Sequence, residues 1–218
     1  MTTRAYKFLN ESFGIRALAD RRLKQSRIRD LNDPFELKPY DVANAGLRTA
    51  LEETKKAMDN DRGLVCFCGN WESPLMWAHY ADGQKGLCLG FDIPDPDRGE
   101  DSDIMRVRYI GYPLKFSPDF DASKPQLQFA RSVVSTKFKD WAYEEEIRIW
   151  ANLQKESDGL HFVRFDDNLR LREVIVGARS SLSRKALTDV LAPCPDEVKI
   201  IKAREDYSSF RMVADENF

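Results

Sequence analysis

The chain has 218 residues, 42% of them hydrophobic and 32% charged, which is enough apolar material for a core and too much for a disordered tail. Lysine and arginine number 34 against 36 aspartates and glutamates, a net charge of −2, which disfavours generic electrostatic binding to nucleic acid or to an anionic membrane surface. No apolar run approaches the length of a membrane-spanning helix, and Met1-Thr2-Thr3-Arg4-Ala5-Tyr6-Lys7 lacks the apolar stretch of a secretory signal, so the expectation is a cytoplasmic protein that does not enter a membrane. In that reducing compartment Cys66, Cys68, Cys88 and Cys194 are expected to be buried thiols, neither disulfide-bonded nor zinc-bound, since no CxxC knuckle is present.

In chain order, Ala5–Leu9 predicts a strand, and Asn10 caps a helix running to about Arg22. A polar extended piece then reaches the turn Leu31-Asn32-Asp33-Pro34-Phe35-Glu36. Leu47, Ala50, Leu51, Thr54 and Met58 keep helical spacing. Leu64–Cys68 reads as a buried strand, and Ser73-Pro74 opens a short helix through Trp77, His79 and Tyr80. After the turn at Asp82-Gly83, Gly86–Phe91 reads as a second buried strand, and residues from about 93 to 103 as an exposed loop. Met105, Val107 and Tyr109 alternate with Arg106 and Arg108 as a half-buried strand. Ser123-Lys124-Pro125-Gln126 has the form of a capping box opening a helix with Leu127, Ala130, Val134, Phe138 and Trp141 on one face. Strands follow at Glu145–Ala151, His161–Phe165, Glu173–Gly177 and Val198–Ala203, with a helix between the last two that Pro193 stops. The expectation is an α+β fold, a mixed and largely antiparallel sheet with about five helices around it, as one domain over residues 1–218.

Four segments carry chemistry-bearing residues. On a strand, Ile147 and Ile149 face inward, which puts Glu144, Glu146 and Arg148 together on the opposite face. Two carboxylates about 7 Å apart beside a guanidinium can polarise a hydroxyl or stabilise a cation; a solvated strand face with a cross-strand ion pair is the plainer reading. The second segment, Met76 to Gly86, sets His79, Tyr80, Asp82 and Lys85 between two buried strands as a binding loop. The third, Val176-Gly177-Ala178-Arg179-Ser180-Ser181, is a strand-to-helix turn whose backbone N–H groups and Arg179 are suited to an anion, with Ser180 or Ser181 as an ordinary helix cap otherwise. The fourth, Arg16 to Arg29, concentrates Arg16, Arg21, Arg22, Lys24, Arg27 and Arg29 around one acid, Asp20; such a patch can hold phosphates or nucleic acid, and solvated surface is the plainer reading. Three acid-x-Lys tripeptides, at Glu36, Glu53 and Glu197, raise a metal-dependent nuclease as an alternative, but no aspartate is convincingly placed on a partner strand.

Three separated motifs carry a resemblance. They are Tyr6-Lys7-Phe8 with Leu31-Asn32-Asp33-Pro34-Phe35-Glu36; Leu75 to Gly86; and Trp141-Ala142-Tyr143-Glu144-Glu145-Glu146-Ile147-Arg148, trailed by Glu173-Val174-Ile175-Val176-Gly177. Together they resemble a bacterial family catalogued as domain of unknown function 2971, a label that implies no activity. A more distant likeness is to mono-ADP-ribosyltransferases, whose Arg-or-His strand, Ser-Thr-Ser-like strand and Glu-x-Glu strand occur in the order of Tyr6-Lys7, Cys66-Phe67-Cys68 and Glu144-Glu145-Glu146 here. That likeness implies NAD as the cofactor consumed, Glu146 as the catalytic glutamate and Glu144 as an accessory acid, while the cysteine spacings lead to the expectation of no metal. Lys7 and the two cysteines depart from the pattern. With it, Glu146, Glu144 and His79 are the candidate catalytic groups, and Tyr6, Lys7, Tyr80, Lys85, Arg148 and Arg179 the candidate ligand-binding groups for a small polar or phosphorylated ligand. An acceptor macromolecule and a role in bacterial conflict, as a toxin or antiphage effector, accompany that reading. The alternative is a non-catalytic nucleotide- or phosphate-binding module.

Overall fold

The structure is a computed structural model that describes residues 1–42, 45–96, 98–99, 102–116, 127–153 and 159–218. Among these residues the elements run β1 (Thr2–Leu9), α1 (Glu11–Asp20), β2 (Arg22–Lys24), α2 (Ala45–Asp61), β3 (Arg62–Cys68), α3 (Pro74–Tyr80), β4 (Leu87–Pro94), β5 (Ile104–Arg106), β6 (Arg108–Ile110), α4 (Leu127–Ser135), β7 (Thr136–Phe138), β8 (Glu146–Asn152), β9 (Phe162–Arg164), β10 (Arg170–Val176), α5 (Arg184–Leu191), β11 (Lys199–Glu205) and β12 (Met212–Ala214). Short 3-10 helices at Ile28–Asp30 and Lys139–Glu144 complete the order.

Eight strands form one sheet in the order β12-β11-β10-β4-β1-β3-β8-β5. Its pairs are antiparallel except β10 with β11, which α5 connects as a crossover. This is the mixed, largely antiparallel α+β architecture that the strand and helix patterns predict, folded as a single compact domain. β4 lies near the middle of the sheet and is buried on both faces, which is why it reads as an unbroken apolar run. On one face Ala5, Leu87, Leu89, Phe91 and Val174 pack with Ala17 and Leu18 of α1 and Leu187 of α5. On the other, Phe8, Cys68, Cys88 and Ile175 pack with Met76 and Trp77 of α3. A third cluster, including Ile28, Leu37, Leu64, Met105, Val133, Val134 and Trp150, closes the far end.

The caps follow the sequence closely at two helices. Asn10 Oδ1 accepts from Phe13 N at 2.8 Å to open α1, and Ser73 Oγ accepts from Met76 N with Pro74 in the first turn of α3. Several boundaries differ from the sequence reading. β4 runs to Pro94, into the expected loop, and the expected strand from Met105 to Tyr109 is split at Val107 into β5 of the large sheet and β6, which pairs with β7. α1 stops at Asp20 because Arg21 takes the left-handed conformation and ends the helical turn, and the polar piece after it pairs with β9 as β2. α4 stops at Ser135, and residues 136–138 leave it to pair in parallel with β6, so Phe138 and Trp141 do not continue its face. The cap of α5 is Ser183, whose Oγ accepts from Ala186 N, rather than Ser180 or Ser181. The proposed capping box at Ser123–Gln126 lies outside the described residues. Among the described residues no helix is long and apolar enough to cross a membrane.

The turn after α3 is held by backbone alone. Gly86 N donates to Ala81 O, Gly177 N donates to Gly86 O, and Arg179 N donates to Gln84 O, which stitches the turn onto the end of β10. A Cβ at Gly86 would stand 2.1 Å from Leu9 O and 3.0 Å from Ala81 O, both backbone atoms that cannot swing aside. Gly86→Ala is therefore expected to destabilise the chain by about 3 kcal/mol or more in chemical denaturation. Gly83→Ala, at φ +59 with nothing within 4 Å, is expected to cost only about 1–2 kcal/mol.

Candidate active site

β1 and β3 are neighbours in the sheet, yet their register contains a single pair, Tyr6↔Cys68, and beyond it they part. A backbone acceptor left without a ladder partner needs another donor, and Lys7 Nζ supplies one to Cys66 O at 2.9 Å. Along this split lies a cavity of about 270 Å³. Tyr6, Lys7 and Phe8 of β1, Cys66 and Cys68 of β3, and Met76 and Tyr80 of α3 line it, together with Asp30, Asn32 and Glu36 from the loop before α2 and Lys137, Glu144 and Glu146.

The floor of the cavity is a buried charge cluster. Arg148, fully buried on β8, donates from Nη1 and Nη2 to the two oxygens of Glu36 at 2.7 and 3.1 Å. Its Nε and Nη2 reach the two oxygens of Glu146 at 2.8 and 3.0 Å, and Nη1 also donates to Val134 O at 2.9 Å. Lys137 Nζ on β7 bridges Glu144 Oε2 at 2.5 Å and Glu146 Oε2 at 3.3 Å and stands 4.8 Å over the Trp141 ring. Tyr80 Oη donates to Glu144 Oε1 at 2.5 Å and accepts from Asn32 Nδ2 at 2.9 Å.

Glu146 and Arg148 share the face opposite Ile147, as alternation requires. Glu144 is not on that strand. It ends the 3-10 helix, and Glu145 takes the left-handed conformation at φ 43, which turns the chain so that Glu144 and Glu146 meet across Lys137. The kink is anchored from β3's end, where Gly69 N donates to Glu145 O and Asn70 Nδ2 to Glu145 Oε1 at 2.6 Å.

The two carboxyls are driven apart in acidity. Burial alone would push Glu146 up, but the charge and hydrogen bonds of Arg148, then Lys137, outweigh it and hold it at about 2. For Glu144 burial wins over Lys137 and Tyr80, and its carboxyl is raised above the ordinary value. Burial would discharge Lys137, but Glu146 and Glu144 keep it raised and charged. A pair of carboxyls pushed in opposite directions is how one site holds a fixed negative charge beside a group that trades a proton. The cavity cysteines are poor nucleophiles, since burial raises Cys66 and pushes Cys68 up to about 12.

Of the residues singled out in the sequence, Tyr6, Lys7, Tyr80, Glu144 and Glu146 meet at this cavity, with Arg148 behind them. Three do not. His79 is exposed on the outer side of α3 and leans on Tyr143, ring centroids 6.0 Å apart. Lys85 is exposed on the following turn. Arg179 is exposed too, and several N–H groups around its turn are already engaged: Gly177 with Gly86 O, Arg179 with Gln84 O, Ser180 with Gly177 O and Leu182 with Ser180 Oγ. In the Arg16–Arg29 patch much of the charge is paired within the chain, Arg22 with Asp20 at 3.1 Å and Arg27 with Asp59 at 3.1 Å, while Arg21 donates to Cys194 Sγ. Among the described residues no group of three or more His, Cys, Asp and Glu is placed to hold a metal ion, and all four cysteines are free.

Two further residues, Glu36 and Lys137, complete the site. Glu36 stands in a turn motif and in an acid-x-Lys tripeptide, and its partner Arg148 is 112 positions away. Lys137 falls in a stretch where helical spacing through Val134 and Phe138 predicts that the helix continues, whereas α4 stops at Ser135 and residues 136–138 pair with β6.

Residues 76–149 match the family model described as a protein of unknown function, DUF2971. The match holds the third motif and all but the first residue of the second; the segments at Tyr6, Leu31 and Glu173 lie outside it. No curated protein and no solved structure matches the chain.

The depressed acidity of Glu146 links this site to stability. A carboxyl at 4.5 when free and about 2 when folded adds stability that is complete above 4.5 and is lost as the pH falls toward 2. The loss is about 3 kcal/mol over that window. Urea titrations in that range are expected to show it in the wild type and a flatter dependence in Glu146→Gln.

Proposed function

We propose that this protein, which matches the DUF2971 family model over residues 76–149, is an ADP-ribosyltransferase-like enzyme that takes NAD as a substrate in the cavity along the β1/β3 split. One observation carries the reading. Tyr6-Lys7, Cys66-Phe67-Cys68 and Glu146, the segments that the likeness names, lie abreast on three neighbouring strands, with Tyr6 opposite Cys68 and Cys68 opposite Glu146. Their side chains line one cavity.

The electrostatics suit a cation at its centre. Glu36, Glu144 and Glu146 against Lys137 and Arg148 leave one negative charge over, and of the other charged lining residues Asp30 and Lys7 offset each other. A positively charged N-ribosyl pyridinium is drawn to such a site, and so is the ribosyl cation that forms from it. In the reaction the bond from ribose C1′ to the pyridinium nitrogen breaks and nicotinamide leaves with the electron pair. The charge left on the ribose is met by the permanently ionised Glu146. An acceptor nucleophile then bonds to C1′ and gives its proton to the carboxylate of Glu144. Lys137, bonded to both carboxylates, sets how much negative charge the cavity shows. At about 270 Å³ the cavity is just below the roughly 300–1,000 Å³ usual for ligand sites, so it holds the reacting half of the dinucleotide and leaves the adenosine half outside.

A second reading, a binding module without turnover, is favoured by the saturation of Glu146: Arg148 takes both its oxygens, and Lys137 shares one of them. Release of nicotinamide from NAD separates the two. The enzyme reading expects turnover by the wild type and a fall of about a hundredfold or more in Glu146→Gln, measured where melting shows the variant folded. It also expects the rate to climb with pH above 4.5 as the raised Glu144 carboxyl ionises. NAD binding with no nicotinamide release would leave the module.

His79→Ala offers a contrast within the same assay. Because this ring sits outside the cavity, its removal is expected to change turnover by no more than a few fold.

A further inference from the structure

On the far side of the wall that carries Glu36 and Lys137 lies a second hollow of about 320 Å³. The chain alternates through that wall. Glu36 and the Lys137 amine point to the charge cluster, while Phe35 and Phe138 line the hollow with Pro39, Ile110, Tyr112 and Pro113. Phe35 is 67% exposed, Tyr112 86% and Phe138 40%, so three aromatic rings around one groove are left to water. Contiguous apolar surface of this kind marks an interaction site.

The rim identifies the partner. The stretch from Ile104 to Phe116, which supplies one wall, holds Arg106, Arg108 and Lys115 and no acid. Arg108 is exposed and stands two residues before Ile110 on β6, on the groove side of the strand. The exposed Lys139 lies over Gly111, and Lys38 borders the opposite wall beside Glu52. The one acid of the Phe35–Pro39 wall, Glu36, is turned inward to Arg148. On a chain whose net charge is −2 this is a local excess of cations around an apolar slot. We propose that the groove docks a short segment of another protein, with one or two aromatic or aliphatic anchors flanked by aspartate or glutamate. The anchors fill the slot beside Phe35, Tyr112 and Phe138, and the acids meet Arg108 and Lys139 at its edge. Docking here does not depend on the chemistry in the cavity.

The test is selection of short random peptides displayed on phage against the full chain, followed by anisotropy titration of the winners. Enrichment of acidic sequences with apolar anchors is expected, and Tyr112→Ser and Phe35→Ser should each weaken the best peptide about tenfold or more. Both side chains are mostly exposed, so melting should be unchanged. Lys139→Glu should weaken binding as well, and so should replacing the peptide's acids with lysine. The proposal falls if nothing is enriched, if the winners are basic or lack acids, or if they bind wild type and Tyr112→Ser equally. It also falls if sedimentation shows the chain self-associating through this face, with Tyr112→Ser restoring the monomer, because the occupant would then be a second copy.

Discussion

A guanidinium removed from water has five N–H donors to satisfy, and in this protein the environment of Arg148 does so completely. Nε goes to Glu146, Nη1 to Glu36 and Val134 O, and Nη2 to Glu36 and Glu146. Each acceptor comes from a different stretch of chain: the loop before α2, the end of α4, and β8 itself. Leaving one of these bonds unmade would strand a buried charge, which costs more than any single exposed contact returns. Satisfying Arg148 therefore fixes where the Leu31–Glu36 loop, the α4–β7 junction and the start of β8 lie relative to one another. Those three segments, with β1 and β3, are the walls of the cavity.

An ion cluster is a poor way to stabilise a core, since apolar residues of the same volume often do as well. Its presence beside a cavity, with one carboxyl lowered and its neighbour raised, is what supports the proposed enzyme reading. The sheet contributes the opening. β1 is fully paired with β4 on one side and touches β3 at one registered pair on the other, so the split falls between the strands that carry Lys7 and Cys66. Lys7 spans it from one edge and the Lys137–Glu144–Tyr80–Asn32 chain closes it from the other. Those hydrogen bonds give Lys137 and Tyr80 fixed positions, which is the preorganisation that the proposed reaction would use.

Much of this was legible in the residue pattern because it follows from local rules. Alternation of Ile147 and Ile149 placed Glu146 and Arg148 on one face; Asn10 and Ser73 announced their helices; the unbroken run around Leu89 predicted a strand covered on both sides. The site itself was only half legible. Three consecutive glutamates do not reveal that Glu145 adopts a left-handed conformation, and only that turn brings Glu144 to Lys137. Glu36 and Arg148 are joined by tertiary structure alone, across 112 positions. Lys137 is hidden for a local reason: helical spacing through Val134 and Phe138 masks that the helix ends at Ser135 and that residues 136–138 pair with β6. His79 misled for the opposite reason, since a rare titratable residue draws attention whichever way its helix faces.

Arg148 and Lys137 hold Glu146 ionised while leaving Glu144 poised to take a proton, and this division of charge is the centre of the account. A carbon-13 NMR titration of the glutamate side-chain carboxyls in the intact wild type measures it without reference to any substrate. The account predicts that Glu146 stays ionised down to about pH 2 while Glu144 titrates above 4.5, as two separate transitions. Two carboxyls titrating together near 4.5 would contradict it, for then Arg148 would not set the charge of the cavity and the cluster would be an ordinary solvated ion-pair network.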